Sequence, residues 1–126
     1  MKTSEMVFNY LKSQGLMPEF DAKNNILFKY QMKTFLYFNN DEDEAFFNLT
    51  MPCIFDVTDE NRMEVFEALN EVNETTKVVK LSISSDNSVW CATEIMMDST
   101  PELDDLIPRL INILLNSNEK FYNIIG

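Results

Sequence analysis

Apolar and polar positions follow two different periods along this chain, and the switches between them divide it into elements. Near the start, Val7, Tyr10 and Leu11 fall on one helical face, which predicts a helix over about Ser4 to Gln14 with Ser4 as its cap. Gly15 supplies a left-handed stop, and Pro18 keeps Leu16 to Phe20 as an extended lead-in outside any central strand. After the polar turn Asp21 to Asn25 the period becomes two. Ile26 to Gln31 and Thr34 to Phe38 read as strands joined at Met32-Lys33, with Ile26, Phe28 and Tyr30 on one face and Leu27, Lys29 and Gln31 on the other. Asn39 to Glu44 is an acidic loop. Ala45 to Phe55 is a third strand, in which Pro52 marks a bulge or an edge.

A helical period returns at Thr58 or Asp59, where Val65, Phe66, Leu69 and Val72 form a stripe, and Asn70 and Asn73 suit its end. Lys77 to Ser84 and Ser88 to Met97 form a second hairpin across Ser85-Asp86-Asn87. Val79, Leu81 and Ile83 share one face of its first strand, and Val89, Cys91, Thr93 and Ile95 one face of the second. The last helix begins near Thr100 with Pro101 at its first position, and Leu103, Leu106, Ile107, Leu110, Ile111, Leu114 and Leu115 form its stripe. Pro108 predicts a kink or a later start. Phe121, Tyr122, Ile124 and Ile125 should tie the C-terminus to the core.

This α-β-β-β-α-β-β-α order with short strand links predicts an α+β fold: a five-stranded antiparallel sheet packed with helices, in a single domain over 1–126. The same order resembles the type III secretion chaperone-like fold. Phe28-x-Tyr30, the acidic run Asp41-Glu42-Asp43, and the Asn-rich helix end running into a Lys-containing strand from Leu69 to Leu81 resemble the YbjN-like family of bacterial sensory transduction regulators. Glu94 and the aromatic Phe121 extend the resemblance to nearly the whole chain. It implies a non-catalytic, dimeric protein-interaction domain, and brings no active site with it.

Composition changes the picture chiefly by exclusion. Twenty-one acidic and ten basic residues give a net charge of -11, which repels nucleic acid and anionic membrane surfaces and steers basic partners inward. The N-terminus lacks the apolar core of a signal peptide, and no apolar run is long enough to span a bilayer, so a cytoplasmic protein is expected. The complete absence of His removes Ser-His and Cys-His dyads and the usual transition-metal ligand. Two glycines are too few for a phosphate-cradling loop. Cys53 and Cys91 both lie in strand-like apolar runs and read as buried reduced thiols. Asp41 to Glu44 offers oxygens without the glycine turn or distant ligand of a calcium loop, and Lys77 and Lys80 read as ion-paired or solvated. No cofactor or metal is expected.

One functional hint remains. Trp90, Ala92, Glu94 and Met96 face away from Cys91, and Leu27, Phe35 and Tyr37 add apolar surface to the faces opposite Phe28 and Leu36. If helices cover one face of the sheet, aromatics stay on the other and mark a partner or dimer surface. Phe35, Tyr37, Trp90 and Met96 are the expected contact set of a chaperone-like or regulatory adaptor. The alternatives are a small-ligand sensor or carboxylate-based enzyme, which requires a deep pocket with a buried carboxylate, and an obligate dimer without a further client.

Overall fold

The structure is a computed structural model that describes residues 2–40, 42–98 and 101–126. Asp41 of the acidic loop and Thr100, expected near the start of the last helix, lie outside them. The elements run α1 (Thr3–Ser13), β1 (Glu19–Phe20), β2 (Ile26–Tyr30), β3 (Lys33–Tyr37), β4 (Phe46–Asp56), α2 (Arg62–Thr75), β5 (Val79–Ile83), β6 (Ser88–Met96) and α3 (Leu103–Ile125). The expected α+β order holds with one strand added. The six strands form an antiparallel sheet in the order β1-β2-β3-β4-β6-β5. The extra strand is the lead-in itself: Glu19 and Phe20 lie beyond Pro18 and pair with Leu27 and Ile26 at the sheet edge, where a preceding proline does no harm.

Strand register fixes the faces. Direct partners share a face, so Ile26, Phe28, Phe35, Tyr37, Leu49, Met51, Cys91 and Leu81 lie on one side of the sheet. These residues form one hydrophobic cluster with Val7 and Leu11 of α1, Val65, Ala68, Leu69 and Val72 of α2, and Ile107, Leu110, Leu114 and Phe121 of α3. All three helices therefore cover the same face. Leu36 and Ala92, on the reverse side, are buried but lie outside that cluster.

Several local expectations shift. Ser4 does not cap α1. Thr3 is its first residue, and the helix start is tied to the β3–β4 loop: the Thr3 N–H donates to Glu44 Oε1 at 3.2 Å and the Thr3 hydroxyl to the Glu44 carbonyl at 3.4 Å. A carboxylate there also answers the helix dipole. The β2–β3 turn is Gln31-Met32, one residue before the expected pair. Both residues have positive φ, 51° and 65°, as the tightest hairpin turn requires. Helix α2 begins at Arg62, because Thr58 and Asn61 first exchange hydrogen bonds, Thr58 N–H to Asn61 Oδ1 at 2.8 Å and Asn61 N–H to Thr58 Oγ1 at 3.3 Å. Phe66 of its expected stripe is 49% exposed, and Ala68 takes the inward position. Helix α3 starts at Leu103 and continues unbroken through Pro108. Asp104 and Pro108 are both exposed, so the carbonyl that proline leaves unpaired faces water.

The two cysteines differ. Cys91 is fully buried, and burial pushes its thiol up to about 12, with the neighbouring Ser117 hydroxyl a smaller opposing influence. Cys53, expected to be buried, is exposed. The bulge is the reason. β4 pairs with β6 at Met51↔Cys91 and resumes at Phe55↔Val89, so Pro52, Cys53 and Ile54 face a single residue, and Cys53 adopts φ 52° and turns outward. Among the described residues no helix is long and apolar enough to cross a membrane.

Candidate functional site

With all described helices on one side, no described helix lies over the reverse face of the sheet, although Leu36, Thr50 and Ala92 in its middle are themselves buried. Leu27, Leu36, Thr50, Ala92 and Lys80 form a row across it, flanked by Asn48, Trp90, Glu94 and Ser82. At its centre Phe38 stacks on Trp90 with ring centroids 6.3 Å apart and planes 27° apart. The two rings flank a shallow basin of about 180 Å³ floored by Asn48, Thr50 and Ala92. Lys80 and Glu94 form an ion pair on its rim, the reading expected for Lys80. The Trp90 indole N–H donates to the Ser88 hydroxyl at 2.9 Å, which donates to Asp86 Oδ1 at 2.6 Å. The Cys53 thiol lies 3.5 Å from Asp86 Oδ2. The Ser88 hydroxyl, first among these donors, holds the Asp86 carboxyl below the usual carboxylate range. Trp90 is thus held at its polar end, with Phe38 stacked on its ring.

Of the four residues expected on this surface, the structure leaves two there. Trp90 is half-buried and Met96 is 69% exposed. They share a face of β6 but stand six residues apart, roughly 20 Å along a strand. Phe35 and Tyr37 are buried in the core at 0% and 2% exposure. Phe35 stacks on Phe28 at 5.3 Å and Tyr37 packs on Phe47 at 5.0 Å. The reason is parity. A two-residue turn, whether at 31–32 or 32–33, pairs even-numbered residues of β2 with odd-numbered residues of β3, so Phe35 and Tyr37 must join Phe28 on the helix side. Phe38, of opposite parity to Phe35 and Tyr37, is the aromatic that belongs with Trp90. The same parity signal would have found it.

A second feature lies where the sheet splits. β3 and β4 pair only at Leu36↔Thr50 and Tyr37↔Leu49, extended by the Phe38 N–H to the Asn48 carbonyl at 3.0 Å. The next hydrogen-bonded pair would be Thr34 with Pro52, and proline has no N–H to give. The strands part there. A cleft of about 660 Å³ opens between the β2–β3 turn, the β4 bulge and the C-terminal half of α3, with Lys33, Thr34, Met51, Leu115, Asn118 and Glu119 among its lining residues. The Tyr122 hydroxyl donates to the Ile54 carbonyl and ties the end of α3 to the bulge.

Comparison with known proteins agrees with this architecture. The chain resembles the crystal structure of an uncharacterized protein from Methanothermobacter thermautotrophicus, with TM-score 0.65 and 17% identity over 97% of this chain and 95% of that one. It also resembles the crystal structure of YbjN, described as "a putative transcription regulator from E. coli", with TM-score 0.61 and 12% identity over 96% of this chain and 87% of that one. At these identities the likeness is one of fold. No protein with a curated description matches by sequence. The family profile described as "Putative bacterial sensory transduction regulator" matches residues 3–125, essentially the whole chain, and with that extent of match the chain belongs to the YbjN family.

Proposed function

We propose that this chain is a non-catalytic, chaperone-like or regulatory adaptor of the bacterial cytoplasm that holds a partner protein against the uncovered face of its sheet. The observation that carries the reading is the one-sided packing: three helices cover the Phe28–Phe35 side, while no described helix lies over the Phe38–Trp90 stack on the other side. An aromatic pair with a satisfied indole N–H, rimmed by the Lys80–Glu94 ion pair, has the make-up of a binding hot spot. The net charge of -11 favours a basic partner and raises its rate of encounter. Membership of a family described as regulators supports a role in control rather than catalysis. The carboxylate-enzyme alternative needs a buried acid held above its ordinary range. Asp86, with the Ser88 hydroxyl first among its donors, is held the other way, and Asp21 likewise lies below its ordinary range.

The test compares wild type with Trp90→Ala, immobilised at equal folded concentration, for capture of partners from the native cytoplasm, with light scattering on the eluates. One stoichiometric partner, bound at least tenfold more weakly by the variant at unchanged circular dichroism, is the expected result. Equal capture by both proteins removes this face from the reading. A homodimer broken by the same substitution makes the partner a second copy.

A further inference from the structure

We propose that the split between β3 and β4 is a separate binding site, taking an extended basic peptide segment of a partner protein that pairs its backbone with Thr34 and with the Asn118 amide. The site is independent of the uncovered sheet face.

The argument starts from hydrogen-bond alternation. Across the Gln31-Met32 turn, Tyr30 and Lys33 form the closing hydrogen-bonded pair. Thr34 therefore points its N–H and carbonyl away from β2, toward β4, as Leu36 does. Leu36 pairs with Thr50; the β4 position that would follow opposite Thr34 is Pro52, which has no N–H, and Thr34 pairs with no described residue of β4. A free donor and acceptor on one extended residue is the end of a template for another strand.

The second observation is Asn118. It is 8% exposed, lines the same cleft, and its side chain makes no hydrogen bond with any described residue. No buried polar atom closed to water lacks a partner among the described residues, so the Asn118 amide is open to the cleft. This protein already shows what an asparagine on a helix does for a strand: Asn73 holds both the N–H and the carbonyl of Leu81. Asn118 offers that same pair of groups with no strand in place.

The volume, about 660 Å³, lies within the range of roughly 300–1,000 Å³ of clefts that hold ligands. Met51 and Leu115 supply apolar wall. Glu119 favours a basic side chain on its own lip, with Lys33 among the other lining residues, and the -11 net charge favours basic segments at longer range.

The experiment selects a random heptapeptide phage library on the intact chain and titrates the enriched peptides into 15N-labelled protein. Expected are basic sequences, with shifts at the Thr34 amide and the Asn118 side chain. N-methylating alternate backbone nitrogens of the peptide, or Asn118→Leu, should each weaken binding by about thirtyfold, the worth of about two net hydrogen bonds. Pro52→Val restores the missing donor and should close the split, abolishing binding while the unfolding midpoint stays level or rises. Trp90→Ala should leave these affinities unchanged. Failure to enrich any peptide overturns the proposal, as do shifts centred on Trp90 and Ala92 or undiminished binding of N-methylated peptides.

Discussion

Asn73 of α2 donates from Nδ2 to the Leu81 carbonyl at 3.1 Å and accepts the Leu81 N–H on Oδ1 at 2.8 Å. Leu81 lies on β5, the last strand of the sheet, so one side chain stands in for the strand that is absent. An unguarded edge is a site of aggregation, and a helix laid over it is one of the recognised protections. Here the helix supplies specific hydrogen bonds as well as cover.

Asn73→Ala leaves the Leu81 groups to water and is expected to lower the urea unfolding free energy by about 2 kcal/mol, the order of two lost net hydrogen bonds. Asn73→Asp keeps the acceptor but places a carboxylate against the Leu81 carbonyl, so it should recover only part of that loss. Light scattering should show the Ala variant self-associating at concentrations where the parent does not. Unchanged unfolding and scattering in both variants would contradict the edge-guarding role.

The thiols should separate in reactivity and in pH response. An aromatic disulfide reagent should titrate Cys53 in the native protein at once and Cys91 only after unfolding, because the first is exposed and the second is buried with its thiol held neutral. The Cys91 group goes from an ordinary value of 9.0 to about 12 in the fold. The folded state binds this proton more tightly than the unfolded state, so stability is full below pH 9 and falls as pH rises toward 12, by at most about 1.4 kcal/mol per unit. Cys91→Ala should flatten that slope, which alkaline unfolding curves would show.

Phe35 and Trp90 should respond in opposite ways to truncation. Phe35→Ala opens a cavity in the core beside Phe28 and is expected to cost about 3–5 kcal/mol. Trp90→Ala removes a half-buried ring from the uncovered face and should cost about 1 kcal/mol, with the circular dichroism spectrum retained. Equal losses in the two variants would place Trp90 in the core and remove it from any contact surface.

Val78 has φ 74°, a conformation that crowds a β-branched residue, and it is 47% exposed, so packing recovers little. Val78→Gly relieves the crowding. It should raise the thermal midpoint by a few degrees, corresponding to about 1 kcal/mol. A lowered midpoint would mean that Val78 is held by contacts worth more than its backbone strain.

Much of this architecture is legible in the chain. The change of period from helical to alternating at Ile26, and back near Thr58, places the elements. Pro52 announces the bulge. Parity across a two-residue turn, followed through, assigns Phe35 and Tyr37 to the core side and Phe38 to the side of Trp90. Taken separately, without the turn between them, the strand faces leave that assignment open. Other features leave no local signal. Glu44 meets the start of α1 from forty-one residues away, Asn73 reaches a strand rather than ending its own helix, and Glu19–Phe20 becomes a strand only because Ile26 and Leu27 lie beside it.

The division has a physical cause. A residue's spacing to its neighbours determines which way its side chain points along a helix or strand, so eight of the nine elements and their order can be read from the chain alone. Hydrogen bonds and cover between distant segments depend on what the packed helices bring near. That the three helices lie on one face, that Thr34 and Asn118 open onto a common cleft, and that Cys53 turns outward while Cys91 is buried follow from packing between distant segments and have no local signal.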